Sequence, residues 1–175
     1  MRTARIFSAA ALGLLGLAPG ACGSKDATGP NISLSQGEVA SLGQEIGNVI
    51  DYFDPYPGSF DASHSCPVDG SVRATGSLAV ADSVLTLNAT LTFDGCRTAH
   101  YTANGPMTVT GGAVAGRAAL SFSGVFRGSL GVATQDGRTG ACPVDFTVSG
   151  SELQTGPVQL TVTGTACGQG VGGMF

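Results

Sequence analysis

The feature that most narrows what this chain can fold into is a period of two. From Ser83 to Phe93, Leu85, Leu87, Ala89, Leu91 and Phe93 alternate with Thr86, Asn88, Thr90 and Thr92. Successive side chains of a strand point to opposite faces, so this pattern predicts a strand with one apolar and one hydroxyl-rich face. The alternation returns at Tyr101, Ala103, Met107 and Val109, at Ala118, Leu120, Phe122 and Phe126, at Cys142, Val144, Phe146 and Val148, and at Val158, Leu160 and Val162. With the stretch that opens at Val72, at least six strands are predicted. Short Gly-, Asp- and Asn-containing turns join them with no helix between, which implies antiparallel hairpins. The 28 glycines, the absence of Trp and a charged fraction of only 11% fit many turns and short strands.

Ahead of the strands the period changes. Ser35-Gln36-Gly37-Glu38 has capping-box spacing, and Val39, Leu42, Ile46, Val49, Ile50 and Phe53 follow at helical intervals. An amphipathic helix is expected over 35–54, helical from Ser35 to Tyr52 and stopped by Asp54-Pro55. Gly37, Gly43 and Gly47 weaken it by about 1 kcal/mol each relative to Ala, so it needs a packing partner. The expected class is mainly β: an antiparallel meander, sandwich or curved sheet with one N-terminal amphipathic helix packed on it. Its divisions are a loop over 55–65, an antiparallel β domain over 66–168 and a C-terminal tail over 169–175.

The first residues read as an address. Arg2 and Arg5 precede an apolar run from Ile6 to Ala18, too short for the roughly 20 residues that span a bilayer, and Gly20 and Ala21 precede Cys22. Leu17-Ala18-Pro19-Gly20-Ala21-Cys22 resembles the lipobox of bacterial lipoproteins, which implies a signal peptide over 1–21 and a diacylated Cys22. Pro19 stands where that family usually has Leu, so cleavage after Gly20 is the competing reading. Cysteine parity favours lipidation: of five cysteines, Cys66, Cys96, Cys142 and Cys167 can pair with one another, and Cys22 is left over. Residues 22–34 look like the flexible tether of such proteins. Gly23, with no Asp after Cys22, implies the outer membrane by resemblance to enterobacterial sorting. Expected partners are therefore the membrane, through the anchor, and an unknown protein or lipid.

Without the signal segment six basic side chains face twelve acidic ones, a net charge of −6, and no Lys or Arg occurs between Asp26 and Val72. Nucleic acid is not an expected partner.

The chain also repeats itself. Cys66-Pro67-Val68-Asp69 recurs as Cys142-Pro143-Val144-Asp145, Val72 matches Val148, and Gly76-Ser77 matches Gly150-Ser151 after a two-residue gap. Four cysteines allow three pairings, and equivalent units favour Cys66 with Cys96 and Cys142 with Cys167, each loop contributing about 3–4 kcal/mol. The text Cys66-Pro67-Val68-Asp69-Gly70, then Gly76, Phe93-Asp94-Gly95-Cys96 and Tyr101-Thr102-Ala103-Asn104-Gly105, resembles a group of uncharacterised bacterial envelope proteins. That resemblance implies a shape and no chemistry.

Chemistry is sparse. No nucleophile elbow, Walker loop, dinucleotide fingerprint or His-Glu-x-x-His occurs, so no catalytic residue and no cofactor are expected. His64 near Cys66 and His100 near Cys96 raise zinc, but no C-x-x-C pair supports it in an oxidising compartment. Asp51, Asp54, Asp61 and Asp69, with His64 among Tyr52, Phe53, Tyr56 and Phe60, raise calcium without EF-hand spacing. Neither metal is expected. The resulting expectation is a membrane-tethered, non-catalytic envelope lipoprotein that is structural or binds a partner. The alternatives are a carrier of a hydrophobic ligand or, less favoured, a small outer-membrane barrel.

Overall fold

A computed structural model describes residues 30–115, 119–153 and 158–174. The signal peptide, Cys22 and residues 22–29 lie outside the described residues. One helix, α1 (Gln36–Ile50), precedes eight strands: β1 (Gly58–Ser65), β2 (Asp69–Ala81), β3 (Val84–Arg97), β4 (Tyr101–Ala115), β5 (Ala119–Thr134), β6 (Thr139–Leu153), β7 (Val158–Ala166) and β8 (Gln169–Met174). The strands form a single antiparallel meander in chain order, and the sheet is not closed: among the described residues β1 and β8 each pair with one neighbour only.

The period of two does what it predicts. Leu87, Leu91, Phe93, Ala103, Met107, Val109, Phe122, Phe126, Val144, Val148, Leu160 and Val162 are all buried in one core, while the intervening Thr86, Asn88, Thr92, Thr108, Thr110 and Thr161 are exposed. Each fully buried Val, Leu or Phe contributes about 1.5–3 kcal/mol, so register is set by the apolar face. The sheet curls strongly. Ala74 on β2 and Ala166 on β7 line one cavity, although in a flat sheet five strand spacings of about 4.8 Å would hold them about 24 Å apart.

Inward-facing glycines permit that curl. A Cβ on Gly76 would lie 2.1 Å from the carbonyl oxygen of Asn88, and one on Gly150 would lie 2.3 Å from that of Gln159. Neighbouring backbones approach there more closely than any side chain allows.

Helix α1 begins as its capping box requires: the Ser35 hydroxyl accepts from the Glu38 N–H, and the Glu38 carboxylate accepts from the Ser35 N–H at 2.7 Å. It ends at Ile50, short of the expected Tyr52, because the Asp51 N–H closes the last turn on the Gly47 carbonyl. Val39, Leu42, Ile46 and Val49 are buried against the sheet.

Four expectations need correction. The tether over 22–34 does not extend to residue 34: Ile32 and Leu34 are buried, and Asn31 makes a parallel bridge to Ala141, the Ile32 N–H donating to the Ala141 carbonyl. The loop over 55–65 contains β1, an edge strand with little apolar alternation that is held by its backbone pairing to β2. The tail over 169–175 contains β8, a glycine-rich strand paired to β7 for the same reason. The β domain therefore begins before residue 66 and continues past 168, and it has eight strands where six had been the minimum.

Candidate functional site

The hairpin turns β1–β2, β3–β4, β5–β6 and β7–β8 all fall at one end of the curled sheet, and α1 crosses that end. Its contacts run along the row of turns. Gln169 donates to the Leu34 carbonyl at 3.0 Å, Arg138 binds the Glu38 carboxylate, the Tyr101 hydroxyl donates to the Glu38 carbonyl at 3.0 Å, and His100 pairs with Glu45 at 2.5 Å. Beyond the helix end, Tyr52 stacks on His64 with ring centroids 4.3 Å apart. Arg138 also holds Asp136 and donates to the Ser33 carbonyl, so one guanidinium ties the incoming chain, the helix start and the β5–β6 turn.

These contacts leave a charge signature. The Arg138 guanidinium, helped by the capping hydrogen bonds from Ser35, lowers the Glu38 carboxyl to about 2. Burial pushes the Glu45 carboxyl up, but hydrogen bonds from Thr98 and His100 outweigh it and hold it below its ordinary value. Burial raises the Tyr101 phenol.

Beneath the helix is a cavity of about 560 Å³, within the range of roughly 300–1,000 Å³ usual for small-molecule sites. Val39, Leu42 and Ile46 form its roof, while Leu91, Met107, Val109 and Leu130 belong to its wall. Phe126 and Phe146, stacked at 4.8 Å, also line it. The space exists because small residues occupy core positions: Gly43 and Gly47 on the helix, and Ala74, Ala89 and Ala166 on the sheet. Lower in the sheet the interior is filled, for example by the Phe122 ring lying over Gly150. Every exposed residue that lines the cavity belongs to the stretch from Asp51 to Ala62, which places the mouth there.

The four predicted disulfide residues pair as the repeat implies: Cys66 with Cys96, Cα atoms 5.4 Å apart, and Cys142 with Cys167, 4.0 Å apart. Both bridges sit at the helix-covered end, and Cys142 and Cys167 line the cavity. With these thiols consumed, His64 and His100 have no thiolate beside them among the described residues, and each is occupied elsewhere, on Tyr52 and on Glu45. Among the described residues the aspartates raised for calcium do not gather closely enough to form a metal-holding group. Asp51 and Asp54 stand at the mouth; Asp61 also borders it but is bound by Arg73, at 2.7 Å for one of two hydrogen bonds; Asp69 accepts from the Gly70 N–H. Cys22 lies outside the described residues.

Sequence reasoning raised an enclosed cavity only with the carrier alternative and did not name the residues that leave it open. The signal was there in Gly43, Gly47, Ala74, Ala89 and Ala166, small residues on faces otherwise built of Leu, Val and Phe. No protein-family model, curated protein or solved structure matches this chain. What the molecule does must therefore be argued from the apolar cavity under α1.

Proposed function

We propose that this protein is a bacterial envelope lipoprotein, anchored by lipid on Cys22, whose curled sheet and helix bind a hydrophobic ligand. The observation that carries the ligand-binding half is the cavity of about 560 Å³, walled by Leu, Val, Met and Phe side chains and opening at 51–62. An empty apolar space of that size costs stability, because each missing side chain forfeits burial and dispersion; a site that binds an apolar molecule recovers both. The two disulfides support an oxidising, exported setting, and their use of four cysteines leaves Cys22 for the anchor. Gly23 favours the outer membrane.

The polarity of the sheet argues against the outer-membrane barrel. A membrane barrel is closed and apolar outside, whereas this sheet is open and carries Thr and Ser on its outer face.

Native mass spectrometry of the full chain isolated from its envelope tests both halves. The expected result is a covalent diacylglycerol increment that C22A abolishes, together with a non-covalent apolar ligand that A89L, which fills the cavity, expels. A wild-type protein that carries no ligand and takes up none from added lipid would sink the carrier reading.

A further inference from the structure

The unpaired charge at the mouth of the cavity has one sign. Asp51 and Asp54 line it, both are exposed, and among the described residues neither makes an ion pair. No Lys, Arg or His is among the described residues that line the cavity, and the chain has no Lys or Arg between Asp26 and Val72 that could turn toward it. The third carboxylate at the rim, Asp61, is already engaged by Arg73. Beside these acids stands Tyr56, 76% exposed, with Phe53 and Phe60 half-buried behind it. An exposed aromatic face next to unpaired carboxylates attracts an ammonium group, whereas a carboxylate or phosphate head would meet two like charges, the cation at the rim, Arg73, being already held by Asp61.

The apolar space takes the rest of the ligand: about 560 Å³ walled by Leu, Val, Met and Phe side chains admits a hydrocarbon chain.

We infer that the ligand is an amphiphile with a cationic, ammonium-type head, its apolar part under α1 and its head between Asp51, Asp54 and Tyr56. This rests on the reading of the cavity as a hydrophobic-ligand site.

The test uses the full mature chain carrying C22S, which removes the need for detergent. The uncharged probe N-phenyl-1-naphthylamine fills the cavity, and dodecyltrimethylammonium and dodecanoate displace it below their micellar concentrations at physiological salt. The expected result is about tenfold tighter binding of the ammonium compound, the ratio that two solvent-facing carboxylates and one exposed ring supply. D51N/D54N brings that ratio close to one while probe binding stays unchanged. D82N/D94N, which removes the same net charge away from the mouth, leaves the ratio intact. If the probe binds but dodecanoate competes equally well, or if both double variants flatten the ratio alike, the head-group inference is overturned and the apolar site stands. If the probe does not bind at all, the cavity reading fails and this inference fails with it.

Discussion

Cys66-Pro67-Val68-Asp69 and Cys142-Pro143-Val144-Asp145 are the same four residues in two different situations. Val68 is 55% exposed, whereas Val144 is 7% exposed and lines the cavity. In the first unit the chain has just left β1 and must reverse: the Cys66 N–H donates to the Gly70 carbonyl, and β2 begins only at Asp69, with a register shift before Ser71. In the second unit the reversal comes earlier, at Asp136-Gly137, so Cys142 and Val144 already lie in β6, opposite Leu130 and Gly128. Downstream the copies converge. Val72 and Val148 are buried, Gly76 and Gly150 each abut a neighbouring carbonyl, and each cysteine reaches the end of the following strand, Cys96 after β2 and Cys167 after β6. The tetrapeptide thus specifies a bond and a hairpin, while the position of the preceding turn decides what its valine does.

That comparison can be broken at its staples. The cysteines of the two bridges are separated by 30 and 25 residues, nearly equal loops, so C66A/C96A and C142A/C167A are each expected to cost about 3–4 kcal/mol and to agree within about 1 kcal/mol. Urea unfolding of both double variants measures this; a larger gap would mean that the native surroundings of one bridge, and not chain entropy, set its contribution.

A smaller effect separates the units more sharply. V144A removes a buried side chain and is expected to cost about 1.5–3 kcal/mol, whereas V68A should stay within about 0.5 kcal/mol of wild type. Equal costs in the same unfolding assay would show that the two valines are not differently placed.

The smallest effect concerns the helix, which is tied to a turn beside each unit: Glu45 to His100 after the first, Glu38 to Arg138 before the second. Both carboxyls are more acidic in the folded protein than their ordinary 4.5. A depressed folded value stabilises the native state above the ordinary value, and the contribution is lost as pH falls through the folded one. For Glu38 that loss runs from about 4.5 down to about 2. Melting curves between pH 6 and pH 2 are expected to show a steeper acid decline for wild type than for E38Q; parallel curves would mean that this pair does not hold the helix.

Much of the architecture was legible because it depends on local pattern. The alternation in 83–93 and the capping box at Ser35 are written in neighbouring residues, and each is found where its spacing places it. β1 and β8 were not legible, since an edge strand gains its order from a partner's backbone and Ser59-Phe60-Asp61-Ala62 has too little alternation to announce it. Whether the carrier alternative's cavity forms was not legible either, for a related reason. Ala74, Ala89 and Ala166 are ordinary strand residues until the sheet curls and brings them round one space.

The linear order of residues was enough for the strand period, the helix start, the number of cysteines and their pairing by repeat, because each is a matter of spacing along the chain or of equivalence between copies. The degree of curl, the side on which Val68 and Val144 fall, the crossing of α1 over the turns and the space beneath it required the folded molecule. Those depend on distances between strands far apart in sequence, set by the close backbone approach at Gly76 and Gly150 and by where each hairpin reverses.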